Sequence, residues 1–200
     1  MKHILVVGED PLTCALGEQL VTEILPEWGM PRPAIDNKGV TKLVSALPRF
    51  IEQARHVNPV LCIADTDGKC VKKLLTEWLP TAIPESFLLR LAVNEGESWV
   101  LADRQALAAF FEIAEKQISR TPDEEDNPKR HVLNLARKSK KRIIRQELVS
   151  ETDPTKQGNG YNVHLRNFVK NHWSAQRAAE NSPSLQRAID RLSCLQMLPN

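Results

Sequence analysis

Short, nearly unbroken apolar runs mark the first half of the chain: His3-Ile-Leu-Val-Val-Gly8, Pro59-Val-Leu-Cys-Ile-Ala64 and Phe87-Leu-Leu-Arg-Leu-Ala-Val93. Runs of this length bounded by turn residues predict strands buried on both faces. Between and after them the period lengthens. Leu12–Leu25 predicts a helix stopped by Pro26, with Pro11 in its first turn, where a missing N–H costs nothing. Thr41–His56 repeats Leu43, Val44, Leu47, Phe50, Ile51 and Ala54 at helical spacing, and Pro48 is expected to kink or split it. Lys69–Leu79 predicts another helix. A long one is expected through Trp99, Leu101, Ala106, Leu107, Phe110, Phe111 and Ala114. Pro31–Asp36 has room for a short strand, and its prolines place that strand at an edge.

Strands alternating with helices predict an α/β fold, a mostly parallel sheet built from right-handed β-α-β units. Beyond about residue 119 the strand signal vanishes. Thr121–Pro128 is a polar, proline-flanked connection, followed by expected helices at 129–148, 161–172 and 183–193 and a loop at Gln157-Gly-Asn-Gly160. The expected organisation is an α/β core over 1–118 and a helical C-terminal extension over 119–200 packed on it.

Composition is that of an ordinary globule, 42% hydrophobic and 26% charged. The cysteines are scattered without a CxxC pair, which predicts reduced thiols and a cytoplasmic setting. No apolar stretch reaches the ~18 residues of a membrane helix. The segment before Gly8 is too short for a signal peptide. The net charge of +2 hides an asymmetry: Asp123-Glu-Glu-Asp126 is acidic, whereas Lys129 to Gln146 holds no acid.

The candidate chemistry lies at the strand ends. Glu9 and Asp10 follow the first apolar run, Asp65 and Asp67 the second, and Glu95 and Glu97 the third. Parallel strands finish on one edge, where ligands of open α/β sheets bind. Carboxylates delivered there by separate strands would converge, repel one another and require a cation, and oxygen-only ligands suit Mg²⁺ or Mn²⁺. Residues two apart on extended chain face one side, so Asp65 and Asp67 would address one ion. Each pair also has an ordinary explanation. An Asp after a strand caps the next helix, Asp67-Gly68 makes a turn, and acids near a helix start favour its dipole. Asp103 reads as structural or supporting.

Asp65-Thr-Asp67-Gly68 resembles the nucleophile motif of haloacid-dehalogenase phosphatases, but it sits on the third candidate strand and Lys69 stands where Thr or Val belongs. A phosphate-accepting receiver domain would use Glu9-Asp10, but it lacks its lysine at Asn94-Glu95. Val7-Gly-Glu9-Asp10-Pro-Leu12, Ala64-Asp-Thr-Asp67, Leu89–Asp103 with its Glu-x-Glu-x-Trp-x-Leu-Ala-Asp stretch, Asn127-Pro-Lys129, Gly160-Tyr-Asn162 and Ser182-Pro-Ser-Leu185 together resemble a small Toprim-like family. That family is catalogued as domain of unknown function 4276, related to the Toprim nucleases of the overcoming-lysogenization-defect type. The chain departs from the pattern at Glu9-Asp10, where Toprim domains usually show Glu-Gly, and at Gly96, where a bulkier residue is expected.

The resemblance implies metal-dependent phosphodiester chemistry beside an ATPase partner in antiviral defence. Glu9, Asp65 and Asp67 would hold one Mg²⁺ or Mn²⁺, with Glu95 or Glu97 helping a second. Lys129, Arg130, Arg137, Lys138, Lys140, Lys141, Arg142 and Arg145 would neutralise phosphates of DNA or RNA. The alternative is a non-catalytic interaction subunit regulating an ATPase; a metal-dependent phosphatase ranks third. Tyr161 and Trp173 read as packing residues before stacking platforms. His164 and His172 form no ligand pattern, and neither a phosphate-gripping nor a dinucleotide loop is visible.

Overall fold

A computed structural model of the chain describes residues 2–197. Met1 and positions 198–200, the ends of the expected core and extension, lie outside the described residues. Four parallel strands form one sheet in the order β2-β1-β3-β4, with β1 at Leu5–Gly8, β2 at Ile35–Asp36, β3 at Val60–Asp65 and β4 at Phe87–Ala92. The expected α/β architecture, a parallel sheet flanked by helices with a helical C-terminal extension, is what the chain adopts. β2 is two residues long and sits at the edge, where the preceding prolines need no ladder partner.

Both sheet faces are covered, so β1, β3 and β4 are apolar apart from Arg90 and the terminal Asp65. Leu5, Val7, Val60, Cys62, Ala64, Phe87, Leu89 and Leu91 face one way, toward α2 (Val40–His56) and α3 (Val71–Trp78). Ile4, Val6, Leu61, Ile63, Leu88 and Ala92 face the other, toward α1 (Pro11–Ile24), α4 (Gly96–Ala102) and α5 (Arg104–Phe111). That second face also receives the extension: α6 (Pro128–Arg137), α7 (Arg142–Glu147), α8 (Tyr161–Asn171), α9 (Ala175–Ala179) and α10 (Pro183–Ser193). Their buried residues join the core cluster of α1 and α4 without a break. No helix among the described residues is long and apolar enough to cross a membrane.

Several boundaries differ from expectation. α2 runs unbroken through the exposed Pro48, because Leu43, Leu47, Phe50 and Ile51 on its buried face outweigh one lost hydrogen bond. The long helix expected after β4 is two helices broken at Asp103. This buried carboxylate accepts from Ala106 N–H to start α5, and from Ser174 N–H and the Arg177 guanidinium at the far end of the extension. The helix expected at 129–148 breaks at Ser139, whose hydroxyl donates to the Phe111 carbonyl. α9 was not legible as a separate element. The cysteines are free, with Cys14 and Cys62 buried.

The packing residues fall as expected. Trp99 and Tyr161 are fully buried, and Trp173 donates its indole N–H to the Trp99 carbonyl. His172 packs on Phe110 and Phe168, and His164 pairs with Glu147.

Asp103 should be the most sensitive polar position in the fold, since its oxygens take bonds from a helix start, a distant loop and an arginine. Asp103→Ala is expected to lower unfolding free energy by about 3 kcal/mol, from a lost cap and lost charge-assisted bonds. Urea unfolding followed by tryptophan fluorescence checks this.

Candidate metal centre at the carboxyl edge of the sheet

Because β1, β3 and β4 are parallel, the turns after them emerge side by side. The β1 turn is tight: a Cβ on Gly8 would lie 2.5 Å from the Cys14 amide nitrogen, so only glycine lets α1 return so closely over the strand. Asp10 then caps α1 in a capping box, its carboxylate accepting from Thr13 N–H at 2.8 Å while the Thr13 hydroxyl accepts from Asp10 N–H. Glu9 points across to the neighbouring strand end, where Asp65 N–H donates to its Oε2 at 3.1 Å. The two acids left open in the sequence part company: Asp10 serves the helix, and Glu9 reaches the Asp65 strand end.

Asp65 links the next pair of turns. Its Oδ1 accepts from Gly96 N–H at 2.8 Å, at the start of α4. Gly96, expected to be bulkier, sits where α4 approaches α1: a Cβ there would meet Thr13 Cγ2 at 3.3 Å and Asp65 Oδ1 at 3.7 Å. The two acids of Asp65-Thr-Asp67 do not share an extended face. The chain turns at once, with Asp67 at φ 48° and Gly68 at φ 73°, both left-handed, and Lys69 N–H closing onto the Thr66 carbonyl. Thr66 and Asp67 N–H both reach the Asn94 carbonyl. Asp67 is exposed at the rim, close enough to Glu9 for its charge to be felt there.

Glu95 and Glu97 also diverge. Glu95 precedes α4 and turns outward, accepting from Lys129 N–H at 2.8 Å and so satisfying a free amide at the start of α6. Glu97, in the first turn of α4, is buried at 5% exposure and accepts from the Tyr161 hydroxyl at 2.7 Å. The Lys129 ammonium lies 5.3 Å from the centre of the Tyr161 ring. Two residues of the extension thus form one wall of the site.

These carboxyls are charged at a cost. Burial, then the charges of Glu97, Glu9 and Asp10, hold Asp65 well above the usual carboxylate range. Burial, then Asp67 and Asp10, raise Glu9 against the pull of backbone amides. Burial raises Glu97 to about 7, despite the Tyr161 hydrogen bond and the Lys129 charge. A bound cation would reverse these shifts.

The donor set is oxygen-only and surplus in negative charge, which fits a hard divalent ion. Among the described residues, no three carboxylate, histidine or cysteine groups are already gathered to hold a metal. Mg²⁺ keeps several waters and needs only one or two carboxylates, so the donors fit the ion without such a cage.

The cations after Asn127 do not act as one group. Lys129 and Arg130 sit at the start of α6 beside Glu95, but α6 then leads away at about 1.5 Å per residue, leaving Arg137 and Lys138 about 12–14 Å further on. Lys140 and Arg142 lie beyond them. Lys141 is 3.9 Å from Glu112, and the Arg145 guanidinium is held by the Ser139 and Lys140 carbonyls. Other lysines follow the same strand-end turns and were missed: Lys38 and Lys42 around the start of α2, and Lys69, Lys72 and Lys73 directly after Asp67. The signal for the latter was present in Asp67-Gly-Lys-Cys-Val-Lys-Lys73.

Compared with protein-family models, curated proteins and solved structures, the chain matches none.

Glu97 provides a pH test. Its folded value exceeds the ordinary 4.5, so the stability it contributes is full below about pH 4.5 and is lost as pH rises through about 7. The loss is on the order of 3 kcal/mol. Glu97→Gln, which retains an acceptor for Tyr161, should show a shallower fall in urea midpoint over that window than the wild type in metal-free buffer.

Proposed function

We propose that the protein is a divalent-metal-dependent nuclease that cleaves DNA or RNA phosphodiesters with Mg²⁺ or Mn²⁺. The observation carrying this reading is the convergence of Glu9, Asp65 and Glu97 from three strand ends, each carboxyl raised by burial and further by acidic neighbours, at the edge where open α/β sheets place ligands. Such charge is stabilised by a cation, and the resemblance to Toprim nucleases points to phosphodiesters.

Glu9 and Asp65 would hold the ion with Glu97 assisting, while Asp67 stands at the rim and Glu95 is turned toward α6. When bound, the metal supplies a Lewis acid at the phosphoryl oxygen and a water nucleophilic at neutral pH. The chain's own residues do the rest. Gly96 N–H fixes one Asp65 oxygen and leaves the other for the ion. Asp65 N–H orients Glu9 in the same way. Tyr161 holds Glu97 behind Asp65, so its charge adds to the pull on a cation. The Lys129 ammonium, over the Tyr161 ring and in ion-pair contact with no acid among the described residues, would be available to a phosphate oxygen. Involvement with an ATPase in antiviral defence belongs to the same proposal and rests on the resemblance alone.

A second reading, a non-catalytic subunit regulating an ATPase, has its own support: four of the five candidate acids already have a structural partner. Glu9 takes Asp65 N–H, Asp65 takes Gly96 N–H, Glu95 takes Lys129 N–H and Glu97 takes Tyr161.

Calorimetry with Mn²⁺ separates the readings. The wild type should bind, and Asp65→Asn should lose at least about tenfold in affinity while remaining folded. Nucleic-acid cleavage should fall with it. A wild type that binds no Mn²⁺ with or without oligonucleotide, and whose Asp65→Asn variant changes only in stability, would leave the regulatory reading.

A further inference from the structure

A polyanion approaching the carboxyl edge meets the acids Glu9, Asp67 and Glu95, and like charge repels it. Its affinity has to come from cations set beside those acids. The 129–145 run supplies Lys129 and Arg130 there, but its remaining members are carried away along α6 or engaged with Glu112 and backbone carbonyls.

The opposite side of the edge is better furnished. α2 and α3 cover the same sheet face and both start at the carboxyl edge. The turn carrying Lys38 is bonded to the site itself, with Asn37 N–H on the Gly8 carbonyl and Gly39 N–H on the Glu9 carbonyl at 2.8 Å. Lys42 follows in the first turn of α2. Lys69 closes the turn that holds Asp67, and Lys72 and Lys73 follow in the first turn of α3. All five are exposed, and none is in ion-pair contact with an acid among the described residues. Unpaired lysines fixed by short backbone bonds to the loops of Glu9 and Asp67 form a rim of positive charge alongside the negative site. This alternation suits a strand whose flanking phosphates are gripped while one phosphate is brought to the metal.

We infer that the leading turns of α2 and α3, through Lys38, Lys42, Lys69, Lys72 and Lys73, bind the phosphates of a nucleic-acid strand laid across the carboxyl edge. The inference rests on the nuclease reading and specifies which surface of the protein the substrate follows. The far end of α6 and α7 is then dispensable for binding.

The test is fluorescence anisotropy of a labelled single-stranded oligonucleotide with Ca²⁺ replacing Mg²⁺, over a salt series. The proteins are the wild type and three full-length double variants: Lys72→Ala/Lys73→Ala, Lys38→Ala/Lys42→Ala and Lys138→Ala/Lys140→Ala. All substituted side chains are exposed, and circular dichroism checks folding. Each rim pair should weaken Kd at least about tenfold near 0.1 M salt and reduce the log–log salt slope by about 1.4, the value for two single-strand phosphate contacts. The Lys138/Lys140 pair should bind like the wild type, and all variants should hold Mn²⁺ no more weakly in calorimetry. If only the Lys138/Lys140 pair loses affinity, the rim is overturned while the nuclease reading stands. If the wild type holds Mn²⁺ but neither DNA nor RNA, the strand-binding inference fails and the metal site survives. If it holds neither, both fall.

Discussion

Four strands running the same way oblige the turns that follow them to emerge on one edge, and this constraint assembles everything at the candidate site. Glu9, Asp65 and Glu97 come from parts of the chain far apart in sequence, yet their carboxyls share one electrostatic neighbourhood because β1, β3 and β4 are neighbours in register. A buried carboxylate is tolerated only where donors meet it. Here the donors are the amides of the adjacent turns: Asp65 N–H for Glu9 and Gly96 N–H for Asp65. The acids are therefore both the chemistry of the edge and the ties that hold its loops together.

The helical extension completes that edge. Tyr161 satisfies Glu97 from the start of α8, and the first turn of α6 is seated on Glu95. Asp103 then binds the extension to the core from behind through Ser174 and Arg177. Charge is distributed accordingly: acids gather along the strand ends, while unpaired lysines flank them on the α2 and α3 side. A polyphosphate ligand and a divalent ion would each relieve one half of that pattern.

Local rules read from the sequence held where burial enforced them and failed where a tertiary partner competed. The nearly continuous apolar runs at 59–64 and 87–93 give strands because both faces are covered, and Pro11 in the first turn with Pro26 as the stop places α1 to within a residue. The i, i+2 argument for Asp65 and Asp67 fails, since the left-handed turn at Asp67-Gly68 takes the second acid out to the rim. The helix expected across Asp103 breaks because Arg177 and Ser174, more than seventy positions later, claim its carboxylate. Pro48 errs in the other direction: the buried face of α2 keeps the helix whole.

By itself the sequence determined the fold class, the order of elements and the residue types at the strand ends, because apolar periodicity and turn chemistry act over a few residues at a time. It also limited the choice at the first turn to Glu9 or Asp10. Only the tertiary structure put Asp10 on the α1 cap and Glu9 at the Asp65 strand end, turned Glu95 toward α6 and Glu97 toward Tyr161, and tied the turn of Lys38 to that of Glu9. Those outcomes depend on which strand lies next to which and on hydrogen bonds between residues distant in the chain, and no local pattern carries that information.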